Sequence, residues 1–278
     1  MDIRINGETA DIILESEKTL GAVLTGIEAW LGNSDFRVRG LEIDGQIIPG
    51  DALSAAFERE LAGIGSIDVK VCTRQELMLE ALTEARCLLA ALAGPGSLSA
   101  ISSAGEDWKT CAAASFISRE LPDLWSILDE FFKTGGPSPE VIISLIDERI
   151  REIGDPAREF ACLESLVSTI SERLEELPID IQTGKDGRAA ETVSLFSNIA
   201  EKLFRLFSIF QSRKGFIETV DSVPIHNFLE EFSAAVTELL AAYSAKDAVL
   251  VGDLAEYELA PRFRSFYAAL KGAVVPLV

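Results

Sequence analysis

The sequence predicts an α+β protein in which a small strand-rich domain precedes a larger, all-α irregular helical bundle. Up to about Arg74, short runs of alternating apolar and polar residues surround one or two helical runs. Beyond Arg74, apolar residues recur almost throughout at three- and four-residue spacing, which is the period of an amphipathic helix. The 278 residues, 48% of them hydrophobic, are enough for two ordinary cores. We therefore expect domains at residues 1–74 and 75–278.

Two turn dipeptides organise the strand-rich part. Asn6-Gly7 and Asp44-Gly45 each separate two runs of strand type, and such dipeptides supply the positive φ angles of a tight hairpin. A last alternating run precedes Arg74. The predicted strands cover residues 2–6, 9–15, 36–43, 46–48 and 64–71.

Two helices are expected between these strands. Thr19 can cap a helix whose apolar stripe runs from Leu20 to Leu31, and Asp51 can cap a short helix before the last strand. The resulting order is strand, strand, helix, strand, short strand, short helix, strand. This order resembles the β-grasp, or ubiquitin-like, fold over the first quarter of the chain.

The β-grasp resemblance narrows the roles to consider. Conjugating and sulfur-carrier members of that family end in a free diglycine, whereas this chain continues through Thr73-Arg74-Gln75 into a helix. We therefore expect neither protein modification nor sulfur transfer. The resemblance then implies a binding module whose sheet face or edge docks a partner. The alternative is a domain that only caps and stabilises the helical part.

Six to eight helices are expected after residue 75. The helix near residues 188–213 is apolar around most of its circumference, which is typical of a helix central in a bundle or shared with another subunit. We expect this helix to be central in the bundle. If its apolar surface is instead shared with a second copy of the chain, the protein is a homodimer. Gly, Ser and Ala dominate residues 94–105, which predicts a flexible segment there. Pro261 is expected to break or kink the last helix.

The charge balance restricts the kind of partner. The chain has 45 acidic and 25 basic residues, for a formal net charge of −20. A field of this sign repels phosphate backbones and anionic lipid, so we expect neither nucleic-acid nor membrane binding. A protein partner with a basic surface is favoured, and the alternative is that the acid surplus serves solubility alone.

Residue types that support catalysis are sparse. His226 is the only histidine, and although Glu230 follows one turn later, no nucleophile motif accompanies the pair. The cysteines match no zinc or redox spacing, and their apolar neighbours predict buried thiols. These cysteines are Cys72, Cys87, Cys111 and Cys162. We therefore assign no catalytic, cofactor-binding or metal-binding residue, expect no cofactor, and do not expect an enzyme.

Two features bear on location. The first five residues lack the apolar block of a signal peptide, and no run reaches the ~18 apolar residues that span a bilayer. Sparse cysteine use also suits a reducing compartment, so we expect a cytoplasmic protein. The stretch from Val249 to Pro261 resembles the ending of a group of uncharacterised bacterial proteins that share this whole plan. That resemblance implies a bacterial origin and no particular activity.

Aromatic side chains are the candidates for contact with a partner. Trp108 follows the expected flexible segment, and further aromatic residues cluster near the C-terminus. The interaction candidates are Trp108, Tyr257, Phe263, Phe266 and Tyr267. Each would be a plausible hot spot if it were exposed, and would otherwise belong to a core.

The leading hypothesis is a non-enzymatic protein–protein interaction module, an adaptor or chaperone-like protein that presents an acidic helical surface and a β-grasp face. One alternative is a small-molecule-binding protein or enzyme with its pocket between the two domains. The other is a self-assembling structural protein.

Overall fold

The computed structural model describes residues 1–12, 14, 17–32, 34–49, 52–94, 98–211 and 217–274. It confirms the α+β class, with a mixed sheet near the N-terminus and helices through most of the remainder. Packing divides the chain into two compact units, Met1–Ile150 and Arg151–Val278. The predicted boundary at residue 74 concerns independent folding and stays a prediction.

The first unit contains a five-stranded sheet in the order β2-β1-β5-β3-β4. Its central strand, β5, pairs in parallel with β1, and the other neighbours pair antiparallel. The strands are β1 (Asp2–Ile5), β2 (Glu8–Thr9), β3 (Phe36–Ile43), β4 (Gln46–Ile48) and β5 (Ser66–Thr73).

Both predicted hairpin turns are confirmed. Asn6 and Gly7 have φ angles of 51° and 85°, and Asp44 and Gly45 have φ angles of 50° and 79°. Positive φ at both central residues gives the twist that a two-residue hairpin requires. The predicted second strand, residues 9–15, was too long, because β2 ends at Thr9; residues 13 and 15 of that prediction lie outside the described residues.

Two helices accompany the sheet: α1 (Leu20–Leu31) and α2 (Leu53–Phe57). The predicted cap of α1 is confirmed, because the Thr19 hydroxyl accepts a hydrogen bond from the Ala22 N–H. Asp51, predicted to cap α2, lies outside the described residues. One face of α1 packs against the sheet and forms a core with the buried residues Ile3, Leu20, Val23, Leu24, Ile27, Leu31, Leu41, Ile43, Ala56, Ile67 and Val69.

The remaining helices of this region follow without an intervening strand. They are α3 (Arg74–Leu92), α4 (Leu98–Lys109), α5 (Ala112–Glu120), α6 (Pro122–Thr134) and α7 (Pro139–Gly154), and the division between the units falls inside α7. The flexible segment predicted at 94–105 is corrected for residues 98–105, which form most of α4. A glycine is needed at position 105, because a Cβ there would lie 2.6 Å from the Cβ and Cγ of Phe132. Residues 95–97 lie outside the described residues.

The described residues of the second unit form helices and one short hairpin. Its further elements are α8 (Pro156–Ala161), α9 (Glu164–Gln182), α10 (Asp186–Gln211), β6 (Thr219–Val220), β7 (Val223–Pro224), α11 (Ile225–Ala245), α12 (Ala248–Asp253) and α13 (Ala260–Val274). Phe196, Phe207 and Phe210 of α10 are buried in the core of this unit. Ser194, Asn198 and Glu201 of the same helix are exposed, so α10 is amphipathic, and its central position stays a prediction.

A π-helical segment, Leu254–Leu259, joins α12 to α13. The Ala260 N–H donates to the Ala255 carbonyl, five residues back, instead of four. Proline lacks an amide and crowds the carbonyl four residues before it. The wider π turn lies immediately before Pro261, and the helix continues through the proline. Of the two expected outcomes, the break does not occur and the kink stays a prediction.

Candidate binding cleft

The structure places four of the five interaction candidates in the interior. Trp108 is 5% exposed, Phe263 and Phe266 are fully buried, and Tyr267 is 7% exposed. In this conformation these side chains cannot serve as anchors for a partner, which corrects their selection from the sequence. Only Tyr257, at 67% exposure, remains available on the surface, and its role stays a prediction.

The buried candidates have packing roles. Phe263 meets the Phe196 ring edge-on at 5.3 Å, and Phe266 packs 5.5 Å from Phe207. Tyr267 stacks on Phe160 at 4.7 Å, and burial raises the pKa of Tyr267 to about 12. Phe263, Phe266 and Tyr267 recur at three- and four-residue spacing and share one buried face of α13. That spacing is a signal of burial that could have separated them from surface aromatics.

Within the part of the chain that the structure describes, the other residues with reactive groups do not assemble into a site. His226 is 81% exposed, and its Nε2 lies 3.2 Å from the Glu230 carboxylate on the surface. Cys87 and Cys162 are exposed, so the prediction of buried thiols is wrong for these two. Cys87 lies in a helix, where neighbouring side chains point about 100° apart. Apolar neighbours in the sequence therefore do not place its thiol in the core. Burial raises the pKa of the Cys72 thiol, which disfavours its reactive thiolate.

No group of three potential ligands suitable for a metal ion occurs among the described residues. None of the described helices combines the length and the apolar character that a membrane crossing requires.

A cleft of about 700 Å³ lies within the first unit, between the sheet and helices α3 and α5. One wall comes from the end of α1 and the start of β3, and the other comes from the two helices. The apolar lining consists of Leu31, Phe36, Val38, Leu77, Ala81, Ala112, Ala113 and Phe116. Phe36 is 44% exposed, so its ring is accessible from the cleft.

Strand β3 has an open edge beside this cleft. On one side it pairs with β5 from Phe36 to Ile43. On the other side β4 pairs only with residues 41–43, because β4 is three residues long. Residues 36–39 therefore have no neighbouring strand on that side among the described residues, and all four line the cleft.

The pairing determines which main-chain groups face the open edge. The Asp35 carbonyl accepts from the Arg74 N–H, so it points toward β5. Because carbonyl directions alternate along a strand, the N–H and C=O groups of Phe36 and Val38 point away from β5. At Phe36 these groups are partly occupied: its N–H donates to the Ser34 hydroxyl at 3.2 Å, and its carbonyl accepts from Arg37 Nη1 at 2.7 Å. Val38 presents both groups to the cleft without a strand partner.

A β-bulge at Arg39 ends this stretch. The extra residue turns the Arg39 side chain toward α3, where it lies 2.8 Å from the Glu80 carboxylate. Bulges commonly redirect a side chain at a sheet edge or next to a functional site. Here the ion pair between Arg39 and Glu80 links the sheet to the opposite wall of the cleft.

Two further arginines line the cleft. Arg119 lies over the Phe116 ring, 5.5 Å from its centre, and donates to Glu120 at 2.8 Å. Burial tends to raise the pKa of Glu120, but hydrogen bonds from Arg74 and Arg119 outweigh it and lower the pKa overall. Arg37 is half-buried, and its hydrogen bonds to described residues go to two backbone carbonyls, those of Ser34 and Phe36.

These cleft residues were not among the candidates that the sequence indicated. One feature of the sequence did indicate the open edge. The predicted fourth strand was much shorter than the third, so it could not pair with the whole edge of that strand. The helical wall formed by α3 and α5 could not be anticipated, because it depends on how segments distant in sequence pack together.

Comparison with known proteins gives two partial matches and one long one. A family model described as the TP0873 N-terminal domain matches residues 1–73, ending at the last residue of β5. A model described as a domain of unknown function (DUF8042) matches residues 162–269. A protein of Treponema pallidum (strain Nichols), described as an uncharacterized protein, is 24% identical over 267 residues, covering 95% of this chain and 93% of its own. No solved structure matches.

These matches support the resemblance to uncharacterised bacterial proteins over nearly the whole chain. They state no activity, so any assignment of function depends on the geometry of the cleft.

Proposed function

We propose that this protein is a non-enzymatic interaction module that binds an extended segment of a partner protein in the cleft. The observation that carries this proposal is the open edge of β3 at Val38, whose N–H and C=O face a cleft with an apolar lining. An added strand gains main-chain hydrogen bonds, while pockets for alternate side chains provide selectivity. An adaptor requires these two properties of its docking site.

We also infer that the sheet and α1 form a β-grasp domain. Support comes from the element order, from the parallel pairing of β1 with β5, and from α1 packing on one face of the sheet. In this arrangement the sheet edge is the docking element that the family resemblance implied. The net charge of −20 favours a partner whose overall surface is basic.

The proposal is tested by photocrosslinking in a lysate of the native host. A benzophenone amino acid replaces Phe36 in the full chain, and the same replacement at the exposed Trp30 serves as the control. We expect a partner peptide to be crosslinked from position 36 and not from position 30. Sequencing the crosslinked peptide by mass spectrometry identifies the segment.

A second pair of variants shows whether the cleft itself is used. Ala112 is exposed and lines the cleft, so Ala112→Trp should fill it and abolish the crosslink. Ala241 is an exposed helical residue outside the cleft, and Ala241→Trp should leave the crosslink intact. Equal crosslinking in both variants would contradict the proposal.

A small-molecule ligand is the second candidate, favoured by the size of the cleft. Its volume of about 700 Å³ lies within the usual range of ligand pockets, roughly 300–1,000 Å³. Native mass spectrometry of protein purified from the host would show a retained mass that Ala112→Trp eliminates. An unchanged mass in the wild-type protein would count against this alternative.

A further inference from the structure

We propose that the partner segment carries an acidic residue between two apolar residues, and that Arg37 recognises the acidic side chain. This inference rests on the proposed function, because it specifies the segment that adds to β3. It begins with Arg37, which differs from most other cations of the chain.

In a chain with 45 acidic and 25 basic residues, a cation has many potential partners. Most described lysines and arginines accordingly lie within 4.0 Å of a carboxylate; Arg39, for example, pairs with Glu80 in the same cleft. Arg37 makes no ion pair with a described carboxylate, although Glu28, Glu80 and Glu84 also line the cleft. An arginine left without a carboxylate in such surroundings is available for one from outside.

Arg37 is nevertheless held in position. Its Nη1 donates to the Ser34 carbonyl at 2.8 Å and to the Phe36 carbonyl at 2.7 Å. These acceptors are neutral, so the positive charge is not compensated by them. No described residue accepts a hydrogen bond from its Nε or Nη2, which together form the pair of donors that matches a carboxylate. Because the side chain is already ordered, less conformational entropy is lost on binding.

The strand geometry gives the spacing of the partner residues. In an antiparallel pair, the partner residue that exchanges main-chain hydrogen bonds with Val38 lies directly opposite Val38. The next residue lies opposite Arg37, and the one after that lies opposite Phe36. Since side chains alternate between the two faces of a strand, the first and third share the face of Val38 and Phe36, and the middle one shares the face of Arg37.

This alternation fixes the chemistry of the segment. Val38 packs against the apolar core, and Phe36 lines the cleft, so the partner residues opposite them should be apolar. Opposite charges on directly facing residues stabilise a strand pair, so the middle residue should be Asp or Glu. The requirement concerns one side chain and is compatible with a partner that is basic overall.

The test uses three synthetic peptides, fluorescently labelled and blocked at both ends, with the sequence Lys-Thr-Val-X-Val-Thr-Lys. Position X is Glu, Gln or Lys, and binding to the full chain is measured by fluorescence anisotropy at one fixed salt concentration. We expect the Glu peptide to bind about tenfold more tightly than the Gln peptide, and the Lys peptide to bind most weakly. In Arg37→Glu, the Lys peptide should become the strongest binder.

Arg59→Glu is the matched control, because Arg59 is exposed, makes no ion pair with a described residue, and does not line the cleft. It changes the net charge by the same amount as Arg37→Glu. Arg59→Glu should keep the preference for the Glu peptide. An equal loss of preference in both variants would show a general charge effect and overturn the role of Arg37.

The remaining outcomes separate the two proposals. If Ala112→Trp abolishes binding but all three peptides bind the wild-type protein equally, the cleft binds peptides and the inference about Arg37 is wrong. If no peptide binds, or if Ala112→Trp has no effect on binding, the proposed function fails and the inference fails with it.

Discussion

At Gly105, the missing side chain allows α4 to lie directly against α6. A Cβ at this position would lie 2.6 Å from the Cβ and Cγ of Phe132, which is closer than two non-bonded carbon atoms can approach. These Phe132 atoms are near its backbone and cannot easily move aside. We expect Gly105→Ala to lower the free energy of unfolding by about 1–3 kcal/mol, measured by urea denaturation.

The control for this prediction is the same substitution at Gly26. Gly26 is exposed within α1, and a Cβ there would meet nothing within 4 Å. Since alanine favours helix over glycine by up to about 1 kcal/mol, Gly26→Ala should stabilise the protein. Two glycine-to-alanine changes of the same sign would contradict this account of Gly105.

Glu120 predicts a pH-dependent contribution to stability. Arg74 and Arg119 lower its pKa in the folded state, so folding favours the ionised carboxylate. The stabilisation is present above the unfolded pKa, roughly 4.3, and is lost as the pH falls through the lower folded pKa. Glu120→Gln should therefore cost about 1–2 kcal/mol at pH 7 and less as the pH falls below about 4.

Urea denaturation of the wild-type protein and the variant at several pH values measures this difference. Glu106, whose side chain is 75% exposed beside Lys109, provides the comparison. Glu106→Gln should change stability by less than about 0.5 kcal/mol at every pH. A pH-independent effect of Glu120→Gln would argue against the ionic account.

At the scale of elements, Thr73 connects the sheet to the helices. It is the last residue of β5 and also the N-cap of α3. Its hydroxyl accepts from the Glu76 N–H at 3.1 Å, and the Glu76 carboxylate accepts from the Thr73 N–H at 2.7 Å. This capping box lets a strand become a helix without a linker.

We expect Thr73→Ala to destabilise the protein by about 1 kcal/mol in urea denaturation, because α3 loses its cap. Thr237→Ala is the matched control. Its hydroxyl donates to the Ser233 carbonyl at 2.9 Å within α11, where alanine is the better helix former. A loss of similar size in both variants would indicate that the Thr73 cap has no special role.

Elements with local chemistry were predictable from the sequence. The Asn6-Gly7 and Asp44-Gly45 turns and the Thr19 cap each depend on a few adjacent residues, and the structure confirms them. Helix α4 was missed because its small residues are poor local evidence for a helix. One of them, Gly105, allows close packing against Phe132, which is a tertiary effect.

At the scale of the whole molecule, the net charge of −20 predicts what the protein will not bind. Anisotropy measurements with a labelled DNA duplex, and cosedimentation with vesicles containing anionic lipid, should show no association at about 50 mM salt. Low salt is the demanding condition, because any electrostatic attraction is strongest there. Binding that weakens as salt is added would contradict the prediction.

The candidate site lay beyond sequence reasoning for a similar reason. Residues Phe36 to Arg39 were placed in a strand, but only the register with a short β4 leaves their edge open. Their importance depends on α3 and α5, which approach from 40 to 80 residues further along the chain. The sequence-based candidates were aromatic residues instead, and four of the five are buried in a core.

The open edge of β3 has a consequence for the protein at high concentration. A bare strand edge is a template on which a second copy of the same chain can assemble, and proteins commonly place charged side chains there to prevent it. Arg37, bonded to the Phe36 carbonyl, stands on this edge. Its charge would disfavour edge-to-edge association of two copies. Loss of Arg37 would therefore weaken recognition of the partner segment and also lower solubility.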